Sequence, residues 1–230
     1  MDRSIAAAAG LAIPALKLAI AVTQASIGMI ESARSALLNY IEHGADGGIY
    51  GMSSGLLYLA RVELALDELD GAAEHARHAL EVAGSLKNPS LQATALHAFA
   101  SVALRRGDPT EAERLGHQAL ALAAEHELPP NLAAVLDLLA GTAAALESHS
   151  EAAMILGASD RAREELGRVC WAAEEAILEQ LRGRLGAVLG DEAFAAALAD
   201  GQAMGTATRR SPGCAGLVEH ASAPRVDGSP

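Results

Sequence analysis

Arg61 and Arg105 are two positive points in a chain whose formal charge is −12, with 29 acidic and 17 basic side chains. A guanidinium in such surroundings suits a carboxylate or an acidic peptide, which it grips through a planar fork of N–H donors. With His97, Ser101 and Asp137 they form a polar set able to recognise a ligand. Other constellations lead away from catalysis. His75 and His78, three apart, would point the same way from a helix and could bind a metal. A third ligand is not apparent and HExxH is absent, so both are expected on a solvated outer face. Glu174-Glu175 and Asp191-Glu192 have no neighbour that would raise one carboxyl pKa against the other, and they read as acids that favour a helix N-terminus. Gly44 to Gly55 is glycine-rich, but a phosphate loop needs GxxxxGK[ST], and the chain contains no Lys-Ser or Lys-Thr. That stretch is expected to be a flexible loop between repeats. Cys170 and Cys214 lack CxxC spacing and read as incidental reduced thiols. No nucleophile, base and orienter stand at a distinctive spacing. The expectation is a chain that is not an enzyme, with no catalytic residues, no metal and no cofactor.

Composition sets the elements that must position these residues. Hydrophobic residues make up 51% of the chain but aromatics only 3%, so the apolar surface is mostly Ala and Leu. Both are strong helix formers, which implies an all-α fold. The acidic balance would repel phosphate backbones, and direct nucleic-acid binding by this chain is not expected. Near the start, Lys17 interrupts the apolar run Ile5 to Val22, which is therefore not expected to span a membrane. Asp2 offsets Arg3 and the stretch fits the repeat described next, so a secretory signal is not expected either. A cytoplasmic protein is the resulting expectation.

Leu56, Leu96 and Leu136 are forty residues apart, and so are Leu59, Phe99 and Leu139, then Ala60, Ala100 and Ala140, then Ala72, Ala112 and Ala152. Such a period marks stacked supersecondary units, none able to bury its apolar face alone. In the second unit, Gly107-Asp108-Pro109 ends one helix and starts the next, with Asp108 as N-cap and Pro109 in the first turn. Turn chemistry at Gly84 to Pro89 and Leu128 to Asn131 separates the units. Upstream, Gly28 and Ala33 echo Gly107 and Ala112, and Ile20-Ala21 echo Leu59-Ala60, which implies a degenerate unit. Downstream, Ala173, Ile177, Leu181, Leu185 and Leu189 form a stripe on a helix from Ala172 to Leu189, and Asp191 is expected to cap a final helix bearing Phe194, Ala197 and Leu198. The expected organisation is a degenerate helical repeat over 1–50, three helical hairpins over 51–163, capping helices over 164–204 and a disordered tail over 205–230.

Within a unit, Leu96, Phe99-Ala100, Gly107, Ala112 and Ala119-Leu120 resemble the tetratricopeptide signature, in which small residues let two helices cross closely. The usual tetratricopeptide unit is 34 residues, and forty is nearer the HEAT and armadillo length. The spacing inside the unit fits the tetratricopeptide pattern, with the extra residues expected in the connector between units. The predicted fold is a tetratricopeptide-like α-α superhelix, a right-handed solenoid of hairpins with C-terminal capping helices. In such arrays the first helix of each pair lines a concave groove, which is where Arg61, His97, Ser101, Arg105 and Asp137 would lie.

The last unit and cap carry a more specific resemblance. Leu139-Ala140-Gly141, Ser150 to Ala158, Arg161 to Gly167 and Leu189 to Phe194 are similar to the region just before the DNA-binding domain in large actinobacterial LuxR-type regulators. That family joins an N-terminal nucleotide-binding module, a helical repeat arm and a C-terminal helix-turn-helix. The likeness is strongest from Leu132 to Met204 and extends from Leu56, about two-thirds of the chain. It implies the protein-interaction or ligand-sensing arm of a regulator, without the P-loop ATPase and helix-turn-helix parts, present as a split protein or a fragment. Gly205 to Pro212 departs from the family's continuation, so its DNA-binding activity is not carried over. The implied partner is a protein or peptide, with self-association open. The competing expectation is a free-standing tetratricopeptide adaptor that takes a peptide in its groove.

Overall fold

Six of the described turns between helices close with the same hydrogen bond. The backbone N–H groups of Met29, Glu68, Asn88, Asp108, Leu128 and Ser148 each donate to the carbonyl five residues back, at 2.8–3.1 Å. The residue before the donor sits at positive φ at Gly28, Asp67, Lys87, Gly107 and Glu147. This is the left-handed stop that satisfies orphan carbonyls at a helix C-terminus. Asn88 and Asp108 then start the following helix, accepting from the N–H of Leu91 and Glu111 at 3.1 and 3.0 Å. Pro follows at the first helical position of three helices, where its missing N–H is no loss.

The computed structural model describes residues 15–43, 48–126, 128–166 and 171–204. Within them the regular structure is all α-helical. A helix over residues 15–26 (α1) is followed by α2 (Ile30–His43), α3 (Gly48–Ala65), α4 (Leu69–Ser85), α5 (Pro89–Arg105), α6 (Pro109–Glu125), α7 (Pro129–Ala145), α8 (His149–Leu166), α9 (Ala172–Leu189) and α10 (Asp191–Ala203). From α2 to α8 each helix packs on the next, and α3, α5 and α7 also touch in succession. From α3 to α8, three-residue turns between packed neighbours make them antiparallel hairpins in a row. The expected tail over 205–230, residues 1–14, Cys170 and Cys214 lie outside the described residues.

The period has a different origin from the one expected. Helices α4 to α7 are 17 residues each, and the connectors within and between pairs are equally short. The residues beyond the 34 of a usual unit lengthen the helices. Asn88-Pro89 and Pro129-Pro130 start helices, and Gly84 lies inside α4. Residues 48–55 of the expected glycine loop are likewise the first turns of α3. Their glycines answer to packing: a Cβ on Gly51 would stand 2.7 Å from the Tyr40 hydroxyl, and one on Gly55 2.9 Å from the Tyr40 ring. Residues 44–47 lie outside the described set.

Ala60, Ala100 and Ala140 are fully buried, as are Ala72, Ala112 and Ala152, so the repeating small residues sit where paired helices cross. Ala21 and Ala33 are buried in the same way, and Gly28 takes the same turn as Gly107. Ile20, by contrast, is exposed, whereas Leu59 at the equivalent place is fully buried.

The C-terminal helices break the succession. A Cβ on Gly157 would lie 2.1 Å from the Leu198 carbonyl oxygen, and one on Gly201 1.8 Å from that of Met154. Backbone therefore touches backbone where α10 crosses α8, and α10 takes the stacking place next to α8. Helix α9 makes fewer contacts with α7, α8 and α10. Leu181 and Leu185 of the expected stripe are buried and Leu189 packs beside them, while Ile177 is exposed and its neighbour Leu178 takes the buried place. Gly190, at φ 79, precedes α10, and Asp191 is its first helical residue without a side-chain cap. Gly201→Ala is expected to lower stability by about 2 kcal/mol or more, since backbone cannot yield as a side chain would. Gly183→Ala, with open space around it in the interior of α9, is expected to raise it by about 0.5–1 kcal/mol. Urea unfolding followed by helical circular dichroism checks both signs.

Candidate functional site

Arg61 leaves α3 on the side facing α9, and its guanidinium lies 3.6 Å from the ring centroid of Trp171. Tyr58, one turn earlier in α3, stacks on the same indole at 6.4 Å between centroids and 14° between planes. The Arg61 Nε donates to Glu174 Oε1 at 2.7 Å, with a terminal nitrogen at 2.5 Å from the same oxygen. The other oxygen of Glu174 accepts the backbone N–H of Trp171 at 3.1 Å, reaching back as the third residue of a helix does in a capping box. One cation thus holds the first turn of α9 against the first repeat. Burial pushes the Glu174 carboxyl up, but the Arg61 charge, its hydrogen bonds and the Trp171 N–H outweigh it and hold the group below the ordinary range.

Between α9 and the row α3, α5, α7 lies a cleft of about 570 Å³. All five residues selected from the sequence, Arg61, His97, Ser101, Arg105 and Asp137, line it. Their roles divide. Arg61 is held by Glu174. Arg105 pairs with Asp67 at 2.7 Å in an exposed contact, of the kind that stabilises by about 0–1 kcal/mol. Neither is the free positive point that the sequence suggested, because carboxylates distant in sequence fold onto them. The Ser101 hydroxyl donates back to the His97 carbonyl at 2.9 Å, and His97 is close enough to Glu174 for its charge to favour the carboxylate.

Asp137 belongs to a buried network. Arg163 spans its two oxygens at 2.5 and 2.6 Å, and Ser159 donates to it at 2.6 Å. Arg163 also reaches Asp160, which accepts from Arg182 of α9 at 2.6 Å. Burial raises the Asp137 pKa, against the pull of Arg163 and of the Ser159 hydrogen bond. This network ties α7, α8 and α9 together, so Asp137 braces the wall of the cleft.

Trp171, Glu174 and Arg163 were not in the set chosen from sequence. Glu174 stands in the first turn of α9, as expected of an acid at a helix N-terminus, and it is in addition the partner of Arg61, which the sequence reading did not foresee. The available signal was the chain's single Trp standing three residues before an acid at a helix start. His75 also departs from expectation. It is half-buried in α4, with Nδ1 2.7 Å from Glu63, whose side chain is almost wholly buried in α3. One period on, the same two positions are Ala103 and Leu115, and two periods on Ala143 and Ile155, so an ion pair here stands where the other units place apolar contacts. His78 is exposed. No group of three or more His, Cys, Asp or Glu positioned for a metal exists among the described residues. None of their helices is long and apolar enough to cross a membrane.

Comparison with known proteins locates the chain distantly. It is 36% identical over 112 residues, 49% of its length, to a protein of Mycobacterium bovis and to one from each of two strains of Mycobacterium tuberculosis, all named "putative HTH-type transcriptional regulator". The matched stretch spans only 13% of those relatives. No protein-family model and no solved structure matches the chain.

Two outcomes follow from these contacts. Arg61→Ala removes the cation from both Trp171 and a carboxylate that is less than a third exposed, and is expected to lower stability by about 1–3 kcal/mol, partial exposure holding it below the figure for a fully buried pair. Trp171 emission should shift to the red, and Arg61→Lys should not restore it, because an ammonium lacks the planar fork; unchanged emission in Arg61→Ala would mean that α9 is held by something else. The Glu63 hydrogen bond, opposed by burial, raises the His75 pKa. A raised folded pKa gives stability that is fully present below the unfolded value of about 6.5 and is lost as pH rises through the folded value. The stability difference between wild type and His75→Gln should therefore be largest on the acid side of that window and shrink above it, measured by urea unfolding between about pH 5 and 9.

Proposed function

We propose that this chain is a non-catalytic helical-repeat arm of a transcriptional regulator of the LuxR type, a tetratricopeptide-like superhelix that senses a ligand or binds a partner. The observation that carries the reading is the cleft. It gathers side chains from the first helices of three successive pairs and closes them under α9. The similarity to mycobacterial proteins named as regulators supports the regulatory context. Nucleotide hydrolysis and DNA binding, in this reading, are supplied outside the described helices.

An adaptor that takes a peptide along the same row of helices is the alternative. It requires α9 to leave, since Trp171 and Glu174 already occupy the Arg61 end of the groove.

The purified chain should neither retard duplex DNA at physiological salt nor release phosphate from ATP. In extracts of the source cells it should cross-link to a polypeptide that carries a helix-turn-helix, and Arg61→Glu, Arg105→Glu should abolish that capture. ATP turnover or DNA retardation by the chain alone would overturn the reading, as would a partner set unchanged by the double substitution.

A further inference from the structure

The charge of the cleft differs from that of the molecule around it. Arg61, Arg105, Arg163 and Arg184 line it against Asp137 and Glu174, an excess of two cations in a chain that carries −12. Glu174 is neutralised by Arg61 and Asp137 by Arg163. The surplus therefore lies at Arg105 and Arg184. Arg105 has only the exposed Asp67, a pair weak enough to leave its other N–H groups for a ligand. Arg184, on α9, has no hydrogen-bond or ion-pair partner among the described residues. The rest of the lining is largely apolar, with Leu64, Leu104, Leu138 and Ile177 beside the Trp171 indole.

Size selects among occupants. A helix with its side chains is about 10–12 Å across and rises 5.4 Å per turn, so one turn fills roughly 500 Å³. With α9 in place the cleft measures about 570 Å³, a space that a compact molecule fills more completely than an extended helix would. The same volume lies within the range of small-molecule sites, about 300–1,000 Å³.

We propose that the cleft binds a small amphipathic anion, a carboxylate or sulfonate on an aromatic or aliphatic body, with its charge held by Arg105 and Arg184 and its body against Trp171 and the neighbouring leucines. The proposal rests on the sensing reading given above and names the ligand class for it. Because Arg105 belongs to α5 and Arg184 to α9, such a ligand bridges the repeat row and the helix that closes it. Occupancy favours the closed arrangement by its difference in affinity for the two.

Three probes of one shape separate the possibilities: naphthoate, naphthalenemethanol and naphthylmethylammonium. Trp171 is the chain's single Trp, so its emission reports occupancy of the cleft, and calorimetry reports binding anywhere. Naphthoate is expected to change Trp171 emission saturably and to bind at least about tenfold more tightly than the alcohol, the effect of one charge-assisted hydrogen bond, with the ammonium weakest. Arg105→Gln, Arg184→Gln should bring naphthoate down to the alcohol's affinity, and Arg105→Lys, Arg184→Lys should recover part of the difference. Should the glutamine variant fail to fold, the probe series on the wild-type chain decides alone. Equal binding of acid and alcohol overturns the anion assignment while leaving the cleft a sensing site. Calorimetric binding without a Trp171 response places the probes elsewhere and overturns the proposal. No binding by any probe removes the small-molecule reading, while the partner-capture assay still tests the interaction arm.

Discussion

The hydrogen bond that closes each turn from α3 to α8, from an N–H to the carbonyl five residues earlier, sets the geometry of the helical row. It recurs at Glu68, Asn88, Asp108, Leu128 and Ser148, every twenty residues. Because turns within and between pairs share it, no connector is long enough to let a helix tilt away from its neighbour. Equal helices then repeat the same crossing, and the small residues needed there recur at fixed intervals. The left-handed residue need not be glycine. Asp67, Lys87 and Glu147 adopt it, at a cost of roughly 1–2 kcal/mol for a residue with a Cβ. That cost is offset by the carbonyls the turn satisfies and by the packing it makes possible.

A regular row brings equivalent positions of α3, α5 and α7 side by side. This is why Arg61, His97, Ser101, Arg105 and Asp137, spread over more than seventy residues of sequence, line one cleft. The departures from regularity give the cleft its character. Ser159 stands where the second unit has Ala119, and its hydroxyl serves both the Ala133 carbonyl and Asp137. Arg163 replaces the small Ala83 and Ala123 of the earlier units and neutralises the same Asp137. The polar side chains of the last pair satisfy one another as a set. Each alone would have left a buried group without a partner, at a cost of about 1–3 kcal/mol.

Periodicity was readable in the sequence wherever one residue type answered one physical need. Ala60, Ala100 and Ala140 mark crossings because nothing larger fits, and Asp108-Pro109 marks a helix start because each residue solves a problem of the first turn. The helical reading failed where glycine served packing. Gly51 and Gly55 look like a loop until the Tyr40 ring is seen against them, and no local signal carries that contact. The groove residues were legible as a set through the repeat, but their pairing was not. Glu174 lies 113 positions from Arg61, and the fold alone brings the two together. On α9 the expected stripe was right at Leu181 and Leu185 and wrong at one turn, where Leu178 is buried and Ile177 exposed, a choice between neighbours that only the partner surface makes.

Helices α9 and α10 are held in unlike ways. α10 meets α8 with backbone on backbone through Gly157 and Gly201, a contact that cannot slide by a fraction of an ångström without collision. The first turn of α9 rests on a buried, stacked indole, one cation and one carboxylate, the two charged groups partly open to water. Such contacts stabilise by about 0.5–2 kcal/mol each and depend on salt and pH. Interiors packed like the α8–α10 crossing transmit strain, whereas contacts of the α9 kind exchange with water at small cost. A molecule that combines the two has a fixed end and an adjustable one, and the cleft lies against the adjustable one. The adjustability is confined to that first turn, because Leu178, Leu181 and Leu185 further along α9 are buried in the core that α7 and α8 form.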